Sequence, residues 1–241
     1  NSQQSDSIKI FEIGKVFFAT QKGKLPEERE MVAGLITGNR TEQSWFSKKT
    51  GVDFYDLKGV VEGLLKALLI SEALFLKIEA DACPYFEQGF GAIVKIADKV
   101  VGSLGKIDGQ VLKNFGLKQD TYVFDLDLAL ILGLMPESIL ANPLPKFPSL
   151  SRDMTFILDK DIEVGAILGQ MKIFAERQSL VENYFLFDVF EGQPLEEGKK
   201  SLSFRVVYRS ASKTLTEKNI KKVHTHMSAS ILDKFEADLP E

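Results

Sequence analysis

Residues 184–209, YFLFDVFEGQPLEEGKKSLSFRVVYR, constrain the fold more than any other stretch, because they read as two strands whose faces follow from alternation. In the second strand Leu202, Phe204, Val206 and Tyr208 form an apolar face. Ser201, Ser203, Arg205 and Arg209 form a polar one, interrupted only by Val207. In the first strand a strict period of two sets Phe185, Phe187 and Val189 on one side and Tyr184, Leu186, Asp188 and Phe190 on the other. One face of such a sheet is core and the other is open. An open face with an acid, an aromatic ring, hydroxyls and arginines has the chemistry to stack and hydrogen-bond an unpaired base.

The flanks complete a unit. Upstream lie an extended run, RDMTFILDK from residue 152, and a helix-period segment with Val164, Ile167, Leu168, Met171 and Phe174 on one side. Downstream, Ile220, Val223, Met227 and Ile231 share a helix face, with Thr216 as the expected N-cap and Glu217 in the first turn. Strand, helix, strand, strand, helix, with a tail at Ala237 to Leu239 able to add a last strand, is the ferredoxin-like order.

FPSLSRDMTFILD, LFDVFEG, GKKSLSFRVVYRS and TLTEKNI, in that order, resemble the four signatures of the ferredoxin-fold anticodon-binding domain that closes the beta subunit of bacterial phenylalanyl-tRNA synthetases. The resemblance implies that the first anticodon base stacks on Phe190 and meets Asp188, Ser201 and the small residue Thr155. Where the family usually has tyrosine, Phe190 keeps the stacking face without the phenolic hydroxyl. If 152–160 is a strand with Met154, Phe156 and Leu158 inward, Thr155 faces outward, and alternation expects all four positions on one open face. The plainer reading makes Asp188 a turn acid, Ser201 a strand-edge hydroxyl and Phe190 a subunit contact.

Bulk charge does not draw this chain to nucleic acid, since 30 Lys and Arg face 34 Asp and Glu for a net charge of -4. The basic character is local. Residues 199–222 hold eight Lys or Arg against Glu217 alone, either a solvated rim or, beside an aromatic sheet, a phosphate track through Lys199, Lys200, Arg205, Arg209 and Lys213. Cys83 is the only cysteine, which suits a reducing cytosol and forbids an intrachain disulfide. No apolar run reaches membrane-spanning length and no signal-peptide pattern opens the chain, so the expected location is cytoplasmic, with neither a membrane nor DNA as partner. His224 and His226 are two apart on an expected helix and point apart, so no metal site is expected.

The first half is strand-rich. NSQQSDS is polar and expected to fray, and IKIFEIGKVFFAT reads as a hairpin around Gly14. EMVAGLIT (30–37) is a strand, and TGNRTEQSWFSKKTG is a loop that Trp45 and Phe46 could clip to a surface. In VDFYDLKGVVEGLLKALLIS, Leu57, Val60, Val61, Leu64, Leu65 and Leu68 form the expected buried stripe of a helix. ALFLKIEA, GAIVKIADK with VVGSLGK, and TYVFDLDLALI are extended, with a short helix near Gln110 to Asn114. Pro143, Pro145 and Pro148 mark a linker. The expected division is 1–142, a linker at 143–149, and 150–241.

FEIGKVF, VDFYDLKGVVEGLL, GSLGKIDGQVLKNFGL and YVFDLDL resemble, in order, the catalytic-like module of the same beta subunit. Where that family often has a His-Pro-Gly-Arg-like stretch this chain has FEQGFGA (86–92), and where it often has His-Pro after GSLGK this chain has Asp108-Gly109 after Ile107. The implied fold class is α+β: a class II synthetase-like, mostly antiparallel sheet module followed by a ferredoxin-like (βαββαβ) domain. Working class II modules grip ATP with arginines. FEIGKVFF carries none, GSLGKIDG offers only Lys106, and neither a P-loop nor G-x-G-x-x-G occurs. Asp53, Asp56, Glu62, Asp125 and Asp127 read as helix-start and surface charges, with Lys58 and Glu62 an i, i+4 pair.

The resemblance therefore implies a catalytically silent module, with no catalytic residue of its own, that docks on a catalytic alpha subunit. Trp45, Phe46, Phe54 and Tyr55 are candidate interface residues, with core packing the equal alternative. The implied partners are that subunit and phenylalanine tRNA; ATP and Mg2+ are implied for the whole enzyme and no cofactor for this stretch. Two other classes compete: a stand-alone class II-fold enzyme with a regulatory ferredoxin-like domain, which nucleotide binding would reveal, and an RNA-binding or assembly protein without base preference.

Overall fold

The chain does not turn at Gly14. A computed structural model describes residues 7–240 except 22, 43, 47, 71, 80, 81 and 139–143, and in it Ile8–Phe18 is one unbroken strand, β1. Its partner is β2 (Glu27–Thr37), in an antiparallel register that runs from Ile8 opposite Thr37 to Phe18 opposite Glu27. Glycine in a strand interior is tolerated here because Gly14 faces Met31 across an unbroken ladder, so the expected hairpin is displaced to the 19–26 connection. Of the polar N-terminal stretch expected to fray, residues 1–6 lie outside the described residues, as does Pro143 of the linker.

The chain divides into two compact units, residues 1–140 and 141–241. In the first, α1 (Phe54–Ala67) is followed by β3 (Ala73–Lys77), β4 (Phe86–Ile96), β5 (Lys99–Ile107), α2 (Gly109–Asn114), β6 (Thr121–Asp127) and α3 (Leu128–Leu132). The six strands form an antiparallel sheet in the order β1-β2-β6-β5-β4-β3. Leu57, Val61 and Leu65 of α1 pack on one face of it, against Val32, Val94, Leu104, Phe124 and Leu126. Val60, expected in that stripe, is 47% exposed, because it lies just off the line that Leu57, Val61 and Leu65 present to the sheet. LALI, read as the end of a strand, is instead α3. Asp127 forces the change: its carboxylate accepts the Leu130 amide at 2.9 Å and starts a helix there.

The acids of this unit do structural work. Asp53 caps α1, with reciprocal bonds to the Asp56 amide (3.0 Å) and from its own amide to the Asp56 carboxylate (2.8 Å). Burial pushes the Asp56 carboxyl up, but the Asp53 amide and the Arg40 guanidinium outweigh it and hold the group below its usual range. Lys58 and Glu62 are paired, and Asp108 caps α2 by accepting the Gln110 amide at 2.8 Å. Gly102 is needed for closeness, since a Cβ there would sit 2.0 Å from the Asp125 carbonyl oxygen.

The second unit contains β7 (Leu150–Asp159), α4 (Val164–Ala175), β8 (Val181–Glu191), β9 (Lys199–Tyr208) and α5 (Glu217–Phe235). β9 lies between β7 and β8, antiparallel to both, and the tail adds a single bridge from Asp238 to Ile157 on the outer side of β7. This is the split βαβ arrangement of a ferredoxin-like sheet. Met154, Phe156, Leu158, Leu202, Phe204, Val206 and Tyr208 face Ile167 and Met171 of α4 and Ile220, Met227 and Ile231 of α5. Thr216 caps α5 in a box closed by Asn219, at the position the sequence indicates. Both helices take one face, and the other is left open.

Candidate nucleic-acid interface

The open face of the second unit is laid out in rows by the strand registers, because residues opposite one another in an antiparallel ladder point to the same side. One row is Ile157, Ser201 and Phe190; the next is Thr155, Ser203 and Asp188; the third is Asp153, Arg205 and Phe185. Successive rows are about 7 Å apart, two residues of extended chain. Thr155, Asp188, Phe190 and Ser201 thus occupy two neighbouring rows of one face.

Strict alternation on β8 does not deliver this arrangement. Tyr184 and Leu186, expected beside Asp188 and Phe190, pack on the core instead, opposite Val206 and Phe204. A β-bulge between Leu186 and Asp188 makes the difference: Phe187 is the extra residue, with no opposite number on β9. Two residues there span one partner position, so the inward–outward order inverts and Asp188 and Phe190 emerge on the same side as Phe185. Val189 follows them inward, opposite Leu202, although at the strand's end it stays 49% exposed.

Hydrogen bonds hold the polar groups of the face in place. The Thr155 and Ser203 hydroxyls are 2.9 Å apart and share a bond, and Asp188 lies exposed at the end of their row. Arg205 donates from Nε and Nη2 to the two oxygens of Asp153 at 2.7 and 2.8 Å, while its guanidinium carbon sits 5.2 Å from the centre of the Phe187 ring. Those bonds hold the Asp153 carboxyl below its usual range. Phe185, Phe187 and Phe190 are each between 41% and 48% exposed. Three half-open aromatic rings on one small sheet are a stacking surface. Phe187, Phe185, Ser203 and Asp153 are absent from the sequence-derived site, and only the bulge, silent in a run of apolar residues, would have exposed Phe187.

The basic window does not form one track. Lys199 is bonded to Asp159 at 3.0 Å, Lys200 to the Lys160 carbonyl at 2.8 Å, and Arg209 to Glu182 at 2.7 Å and to the Phe147 carbonyl at 2.6 Å. Lys218, Lys221 and Lys222 ride on α5, which packs beneath the sheet through Ile220 and Met227, so they lie on the side away from the aromatic rows. Lys213 is exposed on the connection between β9 and α5. The His224 Nδ1 is 3.0 Å from the hydroxyl of buried Tyr208, whose own pKa burial pushes up to about 12. Among the described residues no group of three or more His, Cys, Asp or Glu is placed to hold a metal ion.

The open side of the first unit's sheet carries a cleft of about 380 Å3 whose charged lining residues are Glu12 and Asp125, the same sign as a triphosphate. Asp125 accepts the Ser103 hydroxyl at 2.6 Å, and burial beside this cluster drives the Tyr85 phenol up to about 12. The strand pair does contain one arginine, Arg29 on β2, which FEIGKVFF alone does not reveal. It is bound to Glu27 at 2.7 Å and lies over Phe18. Lys106 is held between Glu87 (2.8 Å) and Asp120 (3.2 Å). Of the four aromatic residues singled out in the first unit, Trp45, Phe46 and Tyr55 are 97%, 77% and 75% exposed, and Phe54 packs against the core.

Residues 1–128 match the family described as phenylalanyl tRNA synthetase beta chain CLM domain, and residues 145–240 match the ferredoxin-fold anticodon binding domain. The chain belongs to the phenylalanyl-tRNA synthetase beta-chain family. A phenylalanine–tRNA ligase beta subunit from Desulfotalea psychrophila is 34% identical over 97% of this chain and 30% of its own length. One from Bacillus licheniformis is 36% identical over 99% of this chain and 29% of its own, and one from Syntrophus aciditrophicus is 35% identical over 94% and 28%. The chain therefore spans under a third of the length of these curated beta subunits. Among its described residues no helix is long and apolar enough to cross a membrane.

Proposed function

We propose that this chain is the anticodon-reading and subunit-docking part of a phenylalanine–tRNA ligase beta subunit, serving the ATP-dependent attachment of phenylalanine to its tRNA in the cytoplasm. The observation that carries the reading is the placing of Thr155, Asp188, Phe190 and Ser201 in two adjacent rows of one open face. Phe190 stacks the first anticodon base, and Asp188 and the Ser201 hydroxyl hydrogen-bond its edge. Catalysis, and with it ATP and Mg2+, belongs to the alpha subunit, since Arg29 of the β1–β2 pair and Lys106 of the Gly-rich stretch are already engaged by carboxylates.

The first unit supplies the docking surface. β1 is an edge strand of 11 residues, and Phe11, Ile13 and Phe17 on one side and Ile10 on the other are 53% to 74% exposed. A long apolar edge of this kind calls for a protein cover. It joins Trp45, Phe46 and Tyr55 as the surface offered to the alpha subunit.

The deciding experiment is binding of phenylalanine tRNA to the wild-type chain and to Phe190→Ala at low and moderate salt, with an anticodon-substituted tRNA as control. Loss of a stacked base costs about 1–3 kcal/mol and erases the preference for the native anticodon. If the variant binds both tRNAs as the wild type does, the open face is not the reader. Binding that responds to salt alone would then mark a backbone contact without base preference.

A further inference from the structure

We infer that the bulge residue Phe187, with the Arg205 guanidinium fixed across its ring, forms a second nucleotide subsite on the same face, so that the sheet reads two positions of a single-stranded RNA loop. This inference rests on the anticodon reading of the face and extends it to a site of different make-up. The first subsite combines Phe190 with a carboxylate and a hydroxyl. The second combines a ring with a cation.

Three observations carry it. The extra residue of the bulge is a phenylalanine turned to the open side, where its ring is 48% exposed and meets Arg205 at 5.2 Å. Arg205 is held by a fork of two bonds, from Nε and Nη2 to Asp153, which leaves Nη1 as the one guanidinium nitrogen without a hydrogen bond among the described residues. A guanidinium fixed along one edge by a two-bond fork and lying over a ring presents a preorganised donor. The Arg205 row is also two rows from the Phe190 row, or about 13 Å along the strands, beyond the width of one planar base. A neighbouring nucleotide of the same loop is the ligand that can reach it, its base on Phe187 and an acceptor, either a purine edge or a phosphate oxygen, on Nη1.

The probe is the anticodon stem-loop of phenylalanine tRNA, intact or with one loop base at a time replaced by an abasic residue, titrated against the wild type, Phe187→Leu, Phe187→Tyr and Phe190→Leu. The expected result is a loss of about fivefold or more in affinity for Phe187→Leu and recovery in Phe187→Tyr, which restores the ring. The Phe187→Leu loss should vanish on one abasic loop. That loop should differ from the one that silences Phe190→Leu. If Phe190→Leu weakens binding and Phe187→Leu does not, the second subsite is refuted and the anticodon reading stands. The second subsite is likewise refuted if one abasic position silences both variants. If neither variant matters, or the wild type fails to bind the stem-loop, both readings fall together. Both variants change half-open surface rings, and matching melting temperatures would exclude a folding defect as the cause.

Discussion

The two units solve the same problem differently. Each covers one face of an antiparallel sheet with helices and leaves the other face incompletely covered, yet the uncovered surfaces share almost no chemistry. In the first unit the exposed edge strand shows Ile10 on the open side and Phe11, Ile13 and Phe17 at the uncovered margin of the helix side, with Glu12 and Asp125 as the charges in the open-side cleft. In the second, rings are interleaved with hydroxyls, an exposed carboxylate and a clamped arginine. The first surface is suited to protein and hostile to phosphate, while the second can stack bases and hydrogen-bond their edges. Sheet architecture does not choose the partner; the residues on the uncovered side do.

The largest expected effect would break this division of labour. Phe11→Glu combined with Phe17→Glu puts two charges on one side of β1 and should weaken association with the alpha subunit by more than about 2 kcal/mol, as loss of interface anchors does. Stem-loop binding should be unchanged, and a sedimentation titration read beside an RNA titration checks both at once. Unaltered association would move the docking surface to Trp45, Phe46 and Tyr55. A parallel loss of RNA binding would end the claim that the two surfaces are separate in function.

A smaller effect sharpens the contrast from beneath the second sheet. Tyr208 is fully buried and its hydroxyl meets His224, so His224→Leu should strand that hydroxyl and cost about 1–3 kcal/mol of stability. Burial, and then the nearby charge of Arg152, hold His224 below its ordinary value of 6.5. The unfolded chain therefore binds the proton first as pH falls. The stability linked to His224 is full above pH 6.5 and is lost as the pH drops through the lower folded pKa. Denaturant unfolding of the second unit between roughly pH 7.5 and roughly pH 5 should show this slope in the wild type and a flatter one in His224→Leu. An identical slope in both would assign the pH dependence to other groups.

What the sequence discloses follows the same divide between covered and uncovered surface. Core faces are legible because burial enforces a period: Leu202, Phe204, Val206 and Tyr208 are buried as their alternation requires, and Ile220, Met227 and Ile231 as their helical spacing requires. Caps are legible because their chemistry is local, as at Asp53 and Thr216. The order of faces on β8 is not, because Phe185, Leu186 and Phe187 are three large apolar residues in a row and nothing local says which is the bulge. The four site positions come together on one face, but by the bulge and not by the alternation that anticipated it. The basic window misleads for a related reason: closeness in sequence joins β9 to α5, whereas packing sends Arg205 to the open side and Lys218, Lys221 and Lys222 to the helix side. β1 escapes because a strand apolar on both sides has no period to read.

The smallest effect compares the clamped cations of the two units. Lys106, between two carboxylates and over the Phe90 ring, has only 16% of its side chain exposed, whereas Arg205 and Asp153 are both well open to solvent. A pair so exposed contributes little to stability, so Asp153→Asn should lower the melting temperature only slightly at neutral pH. The sign with pH is fixed by Arg205, whose hydrogen bonds depress the Asp153 carboxyl. The pair's contribution is full above the ordinary carboxylate range, near about pH 4, and lost as pH falls through the lower folded value, so wild type and variant should converge in acid. RNA binding should separate them more than stability does. With Asp153 replaced, Arg205 loses its anionic fork and the donor over Phe187 loses its fixed direction. Stem-loop affinity should then fall while the melting temperature barely moves. Equal affinity in the two proteins would mean that Arg205 needs no clamp to meet RNA, and that the likeness to the closed cations of the first unit is only geometric.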